Sequence, residues 1–242
     1  RPKQTLHAYE QIWTKSGSPL IISTLNIKDK LIKKTGWHVE IAMRYEDPSI
    51  DLALNNLKLK GFNKVYVVPL YPHNAMATTI TTKVEVERLA KEIHPEAELK
   101  FIKPFYKDEK YIKAVSKGVR KYILEHNFDK LIFSYHGIPK RQAKKTDITG
   151  AHCFENNDCC EVESLGSSDC YKAHTVQSSI LIAKELGLKS SEWEIAYQSR
   201  IGPGWLTPFT DKRLERLPNE GVKSIGISVS YTHLRAHETL EN

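Results

Sequence analysis

Two stretches of this chain have the residue types and spacing to do chemistry at a sheet edge. In Phe133-Ser-Tyr-His-Gly-Ile-Pro-Lys-Arg141 the apolar run Leu131, Ile132 and Phe133 reads as a buried strand whose end delivers His136, and Gly137 and Pro139 force a turn directly after it. Ligands of open α/β sheets bind beyond the carboxyl ends of the strands, so His136 stands where a substrate is expected. A neutral imidazole is a base of near-neutral pKa that also ligates metals; a purely structural histidine is the ordinary alternative. In Tyr197-Gln-Ser-Arg-Ile-Gly-Pro-Gly-Trp-Leu-Thr-Pro208 a second apolar strand is followed by a Gly202-Pro203-Gly204 turn and Trp205. Gln198, Ser199 and Arg200 lie just past that strand. Ser199 is the better candidate to line a cleft, and Arg200 suits a structural ion pair.

A third group is the four cysteines. Cys153, Cys159, Cys160 and Cys170 are the only ones in the chain and fall within one short acidic segment. Disulfides are disfavoured inside cells, whereas thiolates are soft ligands for iron–sulfur clusters or zinc. The spacing Cys-x5-Cys-Cys-x9-Cys lacks the paired Cys-x2-Cys knuckles of common zinc ribbons. That spacing lowers zinc without excluding it, so an iron–sulfur cluster, zinc, and uncoordinated or disulfide-linked cysteines all stay open.

The elements that must position these residues alternate. Val39–Ala42, Lys64–Pro69, Lys130–Tyr135, Glu194–Tyr197 and Lys223–Val229 read as strands; Lys83–Ile93, Lys110–Glu125 and Val176–Leu186 read as amphipathic helices, the last stopped by Gly187. Strand–helix alternation implies βαβ units, hence an α/β fold with two Rossmann-like lobes whose parallel sheets are flanked by helices. The expected division is an N-terminal lobe over 1–106, a C-terminal lobe over 107–228 carrying the cysteine insertion 151–170, and a non-native tail over 229–242, where Val229-Ser-Tyr-Thr-His-Leu-Arg-Ala-His-Glu-Thr239 reads like a translated sequencing adapter. With 242 residues, 40% of them hydrophobic, the chain can build real cores. No stretch nears the roughly 20 apolar residues of a membrane span, which points to a soluble, cytoplasmic protein. The net charge of +7 is scattered over the chain, which argues against nucleic acid as partner and leaves anionic small molecules or peripheral membrane contact.

Together the two strand-end motifs resemble those of ferrochelatases, from Arg1 to about Val229. The resemblance implies insertion of Fe2+ into a porphyrin, protoporphyrin IX or coproporphyrin III, in haem biosynthesis, with His136 as proton acceptor and iron ligand and Trp205 packing on the macrocycle. Ala42-Met-Arg-Tyr-Glu-Asp-Pro-Ser-Ile50 is similar to the family's Arg-Tyr strand end, placing Arg44 against a propionate and Tyr45 beside it; a planar guanidinium suits a carboxylate. Arg1, Tyr9 and Ser18 match the family's Arg-x7-Tyr and Gly-Ser-Pro pattern of porphyrin-binding residues. Pro69-Leu-Tyr-Pro-His-Asn-Ala-Met-Ala-Thr-Thr79 completes the similarity as a loop beside the cleft, with His73 expected to be exposed. Some bacterial ferrochelatases carry a 2Fe-2S cluster, and here Ser168-Asp-Cys-Tyr171 stands where many relatives have Gly-Asp-Pro-Tyr. The chain is expected to be clipped at both ends, short of a glutamate that faces the histidine in the family, and therefore inactive or nearly so. Two other readings stay open: a related chelatase loading cobalt or nickel into another tetrapyrrole, and a non-catalytic iron–sulfur protein.

Overall fold

The computed structural model describes residues 13–15 and 17–229, which fall into two units. The first comprises 13–68 and 82–102; the second comprises 69–81 and 103–229.

In the first unit, helix α1 (Pro19–Thr35) begins with a proline in its first turn and ends at Gly36, whose φ of 70° is the left-handed value that closes helix C-termini. Helix α2 (Ile50–Leu59) is capped by the Ser49 hydroxyl, which accepts from the Leu52 N–H. Strand β1 (Lys64–Val67), helix α3 (Thr81–Ile93) and strand β2 (Glu98–Phe101) form one βαβ crossover, with Val65 beside Leu99 and Val67 beside Phe101 in a parallel pair. Ile50, Leu54, Val86 and Ala90 are its core. Val39–Ala42, expected as a strand, form no ladder among the described residues: an apolar run becomes a strand only when a neighbour satisfies its backbone, and here only a single parallel bridge, Met43 with Ser49, follows it.

The second unit is built on helix α4 (Glu109–Glu125), capped by Asp108, and a three-stranded parallel sheet in the order β4 (Trp193–Gln198), β3 (Lys130–His136), β5 (Ile225–Val229). Between these strands lie the short helix α5 (Lys140–Lys145), the long helix α6 (Tyr171–Leu186) and helix α7 (Thr210–Arg216). Both faces of central β3 are covered, as its unbroken apolar run requires. Leu131, Phe133 and Tyr135 pack into the larger core, and Ile132 meets Ala196 and Leu217 on the other side. Helix α6 is polar where it is buried. The Tyr135 hydroxyl pairs with Ser179 at 2.8 Å and the Tyr197 hydroxyl with Thr175 at 2.9 Å. Burial therefore pushes both phenols upward in pKa, only partly offset by these bonds.

Residues 69–81 interrupt the first unit in sequence but pack with the second. The Asn74 N–H donates to His174 Nδ1 at 3.1 Å and the Asn74 amide to the Asp169 carbonyl at 3.0 Å. His73, expected to be exposed, is 5% exposed, bonds Ser178 Oγ at 3.1 Å, and lies edge-on to Tyr135. No helix among the described residues is long and apolar enough to cross a membrane.

Candidate active site and cysteine segment

His136 is the last residue of β3, beside Gln198 at the end of β4. Its Nδ1 lies 2.6 Å from the Gly137 carbonyl. A carbonyl can only accept, so Nδ1 carries the hydrogen, and in the neutral ring the basic lone pair is on Nε2. The His136 carbonyl accepts from the Tyr171 hydroxyl at 2.9 Å.

The turn after His136 is zipped to the loop bearing Trp205. The Gly137 N–H donates to the Gln198 carbonyl at 2.7 Å, Leu206 N–H to the Ile138 carbonyl at 3.0 Å, and Lys140 N–H to the Gly204 carbonyl at 2.7 Å; Pro139 and Trp205 pair antiparallel between them. Gly137 is required for space: a Cβ there would sit 2.8 Å from the Gln198 oxygen, 3.3 Å from the Ser199 oxygen and 3.4 Å from Trp205 Cε3. Leu206, fully buried, anchors the loop. Thus two motifs about sixty residues apart become one surface. Beside it lies a recess of about 420 Å³ lined by Lys140, Ile201, Trp205, Thr207 and Phe209 among others. Ser199 is exposed and holds a φ of 59°, a left-handed value unusual for a side-chain-bearing residue. Arg200 pairs with Asp211 at 2.7 Å and stacks over Phe209 at 4.4 Å. The structural ion pair anticipated for it is present, and the guanidinium holds the Asp211 carboxyl below its usual range.

Arg44, Tyr45 and Ser18 belong to the first unit. The Arg44 guanidinium lies 4.6 Å over the Tyr45 ring, and its Nε is buried with no hydrogen-bond partner among the described residues. Tyr45 is 61% exposed, whereas Ser18 is buried. A recess of about 300 Å³ is lined by Arg44, Tyr45, Glu46, Asp47, Asp51 and Glu85. The strand tether expected for Arg44 is absent; instead the Met43 N–H donates to the Pro48 carbonyl at 2.7 Å, closing a short loop around it. Arg1, Tyr9 and the tail segment 230–242 lie outside the described residues.

The cysteine segment has no regular structure between α5 and α6 and is organised by side chains. The Asp147 carboxylate accepts from the N–H groups of Thr149, His152 and Cys153 and from the Thr149 hydroxyl. These bonds, the Thr149 hydroxyl foremost, hold its pKa far below the ordinary carboxylate range. Gly166 packs so closely on His152 that a Cβ would lie 2.5 Å from the histidine's own. All four cysteines are buried and none forms a disulfide; Cys159 and Cys160 have sulfurs 3.7 Å apart. Burial, then the neighbouring thiols Cys170 and Cys159, pushes Cys153 up to about 12. Cys160 likewise rises to about 12, burial being opposed by the Lys172 ammonium. Cys170 is raised as well, by burial foremost, with the backbone of Ala173 and Lys172 at the start of α6 opposing the rise. Four soft donors in one buried place fit an iron–sulfur cluster in chemistry. In spacing they do not: among the described residues, no three Cys, His, Asp or Glu side chains converge closely enough to hold a metal ion.

Sequence reasoning missed Tyr171, Phe154 and His174. Phe154, next to Cys153, has a left-handed φ of 65°, and its ring lies under Lys140 at 5.9 Å and Lys172 at 5.3 Å. His174 is buried, with Nε2–H donating to the Ser168 carbonyl at 2.8 Å and Nδ1 accepting from Asn74. No sequence motif marks these contacts, which depend on long-range packing.

A profile described as ferrochelatase matches residues 1–240, a span that runs on into the segment read above as foreign. Among curated proteins, a ferrochelatase of Pseudomonas fluorescens (strain Pf0-1) is 37% identical over 246 residues, covering all of this chain and 71% of the relative. One from Pseudomonas syringae pv. tomato is 36% identical over 244 residues, again all of this chain and 71% of the relative. One from Opitutus terrae is 39% identical over 228 residues, 93% of this chain and 66% of the relative.

Proposed function

The chain belongs to the ferrochelatase family, and from that premise we propose that it inserts ferrous iron into a porphyrin with His136 as the base. The reaction replaces two pyrrole N–H protons with Fe2+, releasing two protons while the iron sheds its water. A nitrogen base near neutrality, able to take a pyrrole proton and to touch the metal, is what this step needs. The Nδ1–H bond to Gly137 leaves the lone pair of the neutral ring on Nε2, the nitrogen we assign to both tasks.

The observation that carries this reading is the zipping of the His136 turn to the Trp205 loop beside an open recess. A flat apolar macrocycle calls for an aromatic wall and a few placed cations. Trp205 is assigned as the wall and Ser199 as a rim contact. Arg44 and Tyr45 are assigned to a propionate, with Arg1, Tyr9 and Ser18 as further porphyrin contacts. The unpartnered Arg44 Nε supports its share of this, since a buried donor gains from an incoming carboxylate. Iron insertion measured on His136→Ala in a full-length version should fall to background; undiminished turnover would end the assignment.

For the cysteine segment we infer a 2Fe-2S cluster held by Cys153, Cys159, Cys160 and Cys170. Four free thiols buried in one short segment support it. Such a cluster supplies electron-transfer chemistry, which iron insertion does not use, so its task here is to hold the segment. Anaerobically purified protein should contain acid-labile sulfide and absorb in the visible; zinc without sulfide, or neither, would reject the cluster. Uncrosslinked thiols also favour a reducing compartment, the cytoplasm.

A further inference from the structure

The cysteine segment touches the His136 turn at two points, each one residue away from a cysteine. At one end, Tyr171 follows Cys170 and its hydroxyl donates to the His136 carbonyl at 2.9 Å. At the other, Phe154 follows Cys153 and its ring lies 5.9 Å from the Nζ of Lys140, the residue whose backbone N–H donates to the Gly204 carbonyl in the zipper. Neither residue is free to move alone. Tyr171 opens α6 and is buried; the Cys170 N–H before it donates to the Ser167 carbonyl at 3.1 Å and the Cys170 carbonyl receives the His174 N–H. Phe154 is held in a left-handed conformation that a side-chain-bearing residue keeps only where its surroundings impose it, and the Asp147 carboxylate fixes the Cys153 N–H beside it.

We propose that Tyr171 and Phe154 are positioning residues that couple the cysteine segment to the turn carrying His136. Whatever binds or modifies the thiols then changes how firmly the base is held, without touching it. The inference goes beyond the cluster assignment and stands whether the thiols hold metal or protons; it rests only on His136 being the base.

Amide hydrogen exchange on the purified chain tests it, because the zipper supplies its own reporters: the N–H groups of Gly137, Lys140 and Leu206. In Tyr171→Phe, which removes one oxygen, exchange at these three amides should rise about tenfold, while Phe133 and Ala196 in the β3–β4 ladder stay as they were. Phe154→Leu should loosen Lys140 most. Cys170→Ser should loosen the same three amides, and adding Tyr171→Phe to it should bring no further increase, since both act through one contact. In iron insertion, Tyr171→Phe should lower kcat and leave the KM for porphyrin within twofold. Unchanged reporter amides, a rise shared equally by Phe133 and Ala196, or Cys170 and Tyr171 effects that multiply would each overturn the coupling. Undiminished turnover of His136→Ala with the exchange pattern intact would instead condemn the base assignment, and absence of sulfide would remove only the cluster.

Discussion

Replacing Gly137 with alanine adds one methyl group where the structure has no room for it. The new Cβ would stand 2.8 Å from the Gln198 carbonyl oxygen, inside any normal carbon–oxygen separation, and 3.3 Å from the next carbonyl. Both obstacles are backbone, one at the last residue of a strand held in a parallel ladder and the other directly after it, so neither can swing aside as a side-chain tip would. Gly137 is not among the glycines with positive φ, so the cost is steric and not conformational. Overpacking of this kind destabilises by about 1–3 kcal/mol. Relief has to come from lifting the turn off Gln198, which lengthens the 2.7 Å Gly137–Gln198 bond and tilts His136 away from Trp205. Urea denaturation should therefore show a loss of about 1–3 kcal/mol, and turnover should fall more than porphyrin affinity. Gly118→Ala is the control: it lies within helix α4 with nothing near its would-be Cβ, so it should stabilise by about 0.5–1 kcal/mol. A Gly137→Ala protein with parental stability and turnover would refute the claim that this turn must lie flat on the strand end.

His174 yields a pH dependence. Burial depresses it from 6.5 to about 4, so between those values the unfolded chain binds a proton the folded one refuses, and stability is lost as pH falls from about 6.5 toward 4; at roughly 1.4 kcal/mol per unit the full effect is about 3 kcal/mol. Denaturation curves at pH 7 and pH 4.5 should differ accordingly, and His174→Gln should flatten the difference. Asp147 titrates in the opposite sense of charge: its lowered folded pKa gives stability that is complete above the unfolded value near ~3.9 and is lost as pH falls below it. Asp147→Asn, which replaces an acceptor by a donor facing the Cys153 amide, should speed thiol labelling at pH 7, and labelling at the parental rate would deny its role. Arg44→Ala should raise the porphyrin dissociation constant about tenfold or more, measured by fluorescence titration, with kcat little changed.

The parts of the fold legible in the sequence were those set by local rules. The run Leu131 to Phe133 could only be a strand covered on both faces, and Gly187 marked the end of α6 with φ at 75°. Length misled in both directions. Strand β2 is only four residues, alternately exposed and half-buried, too short to stand out, while Val39–Ala42 had the composition of a strand and lacked a neighbour among the described residues. Helix α1 went unread because its interior buries only Thr24, so apolar and lysine residues are not sorted into an obvious stripe. For the candidate site, the motifs singled out His136, Trp205 and the cysteines. They could not give the contacts among them, because the Pro139–Trp205 pairing joins loops brought together by β3 and β4. His73 shows the same limit: a loop histidine between Pro72 and Asn74 looks solvated until a distant serine on α6 is seen to receive it.

The tyrosine hydroxyls under the sheet have a mechanical consequence. Grease between a helix and a sheet permits small slides, since one methylene contact replaces another at little loss. Tyr135 with Ser179 and Tyr197 with Thr175 act instead as dowels, tying two adjacent strands to successive turns of α6 at fixed heights. A shift of the helix along its axis would strand two phenols in the dry interior. The tips of β3 and β4 and the first turn of α6 therefore share one ruler, and any force that advances or retracts that turn is delivered to the strand ends undiminished.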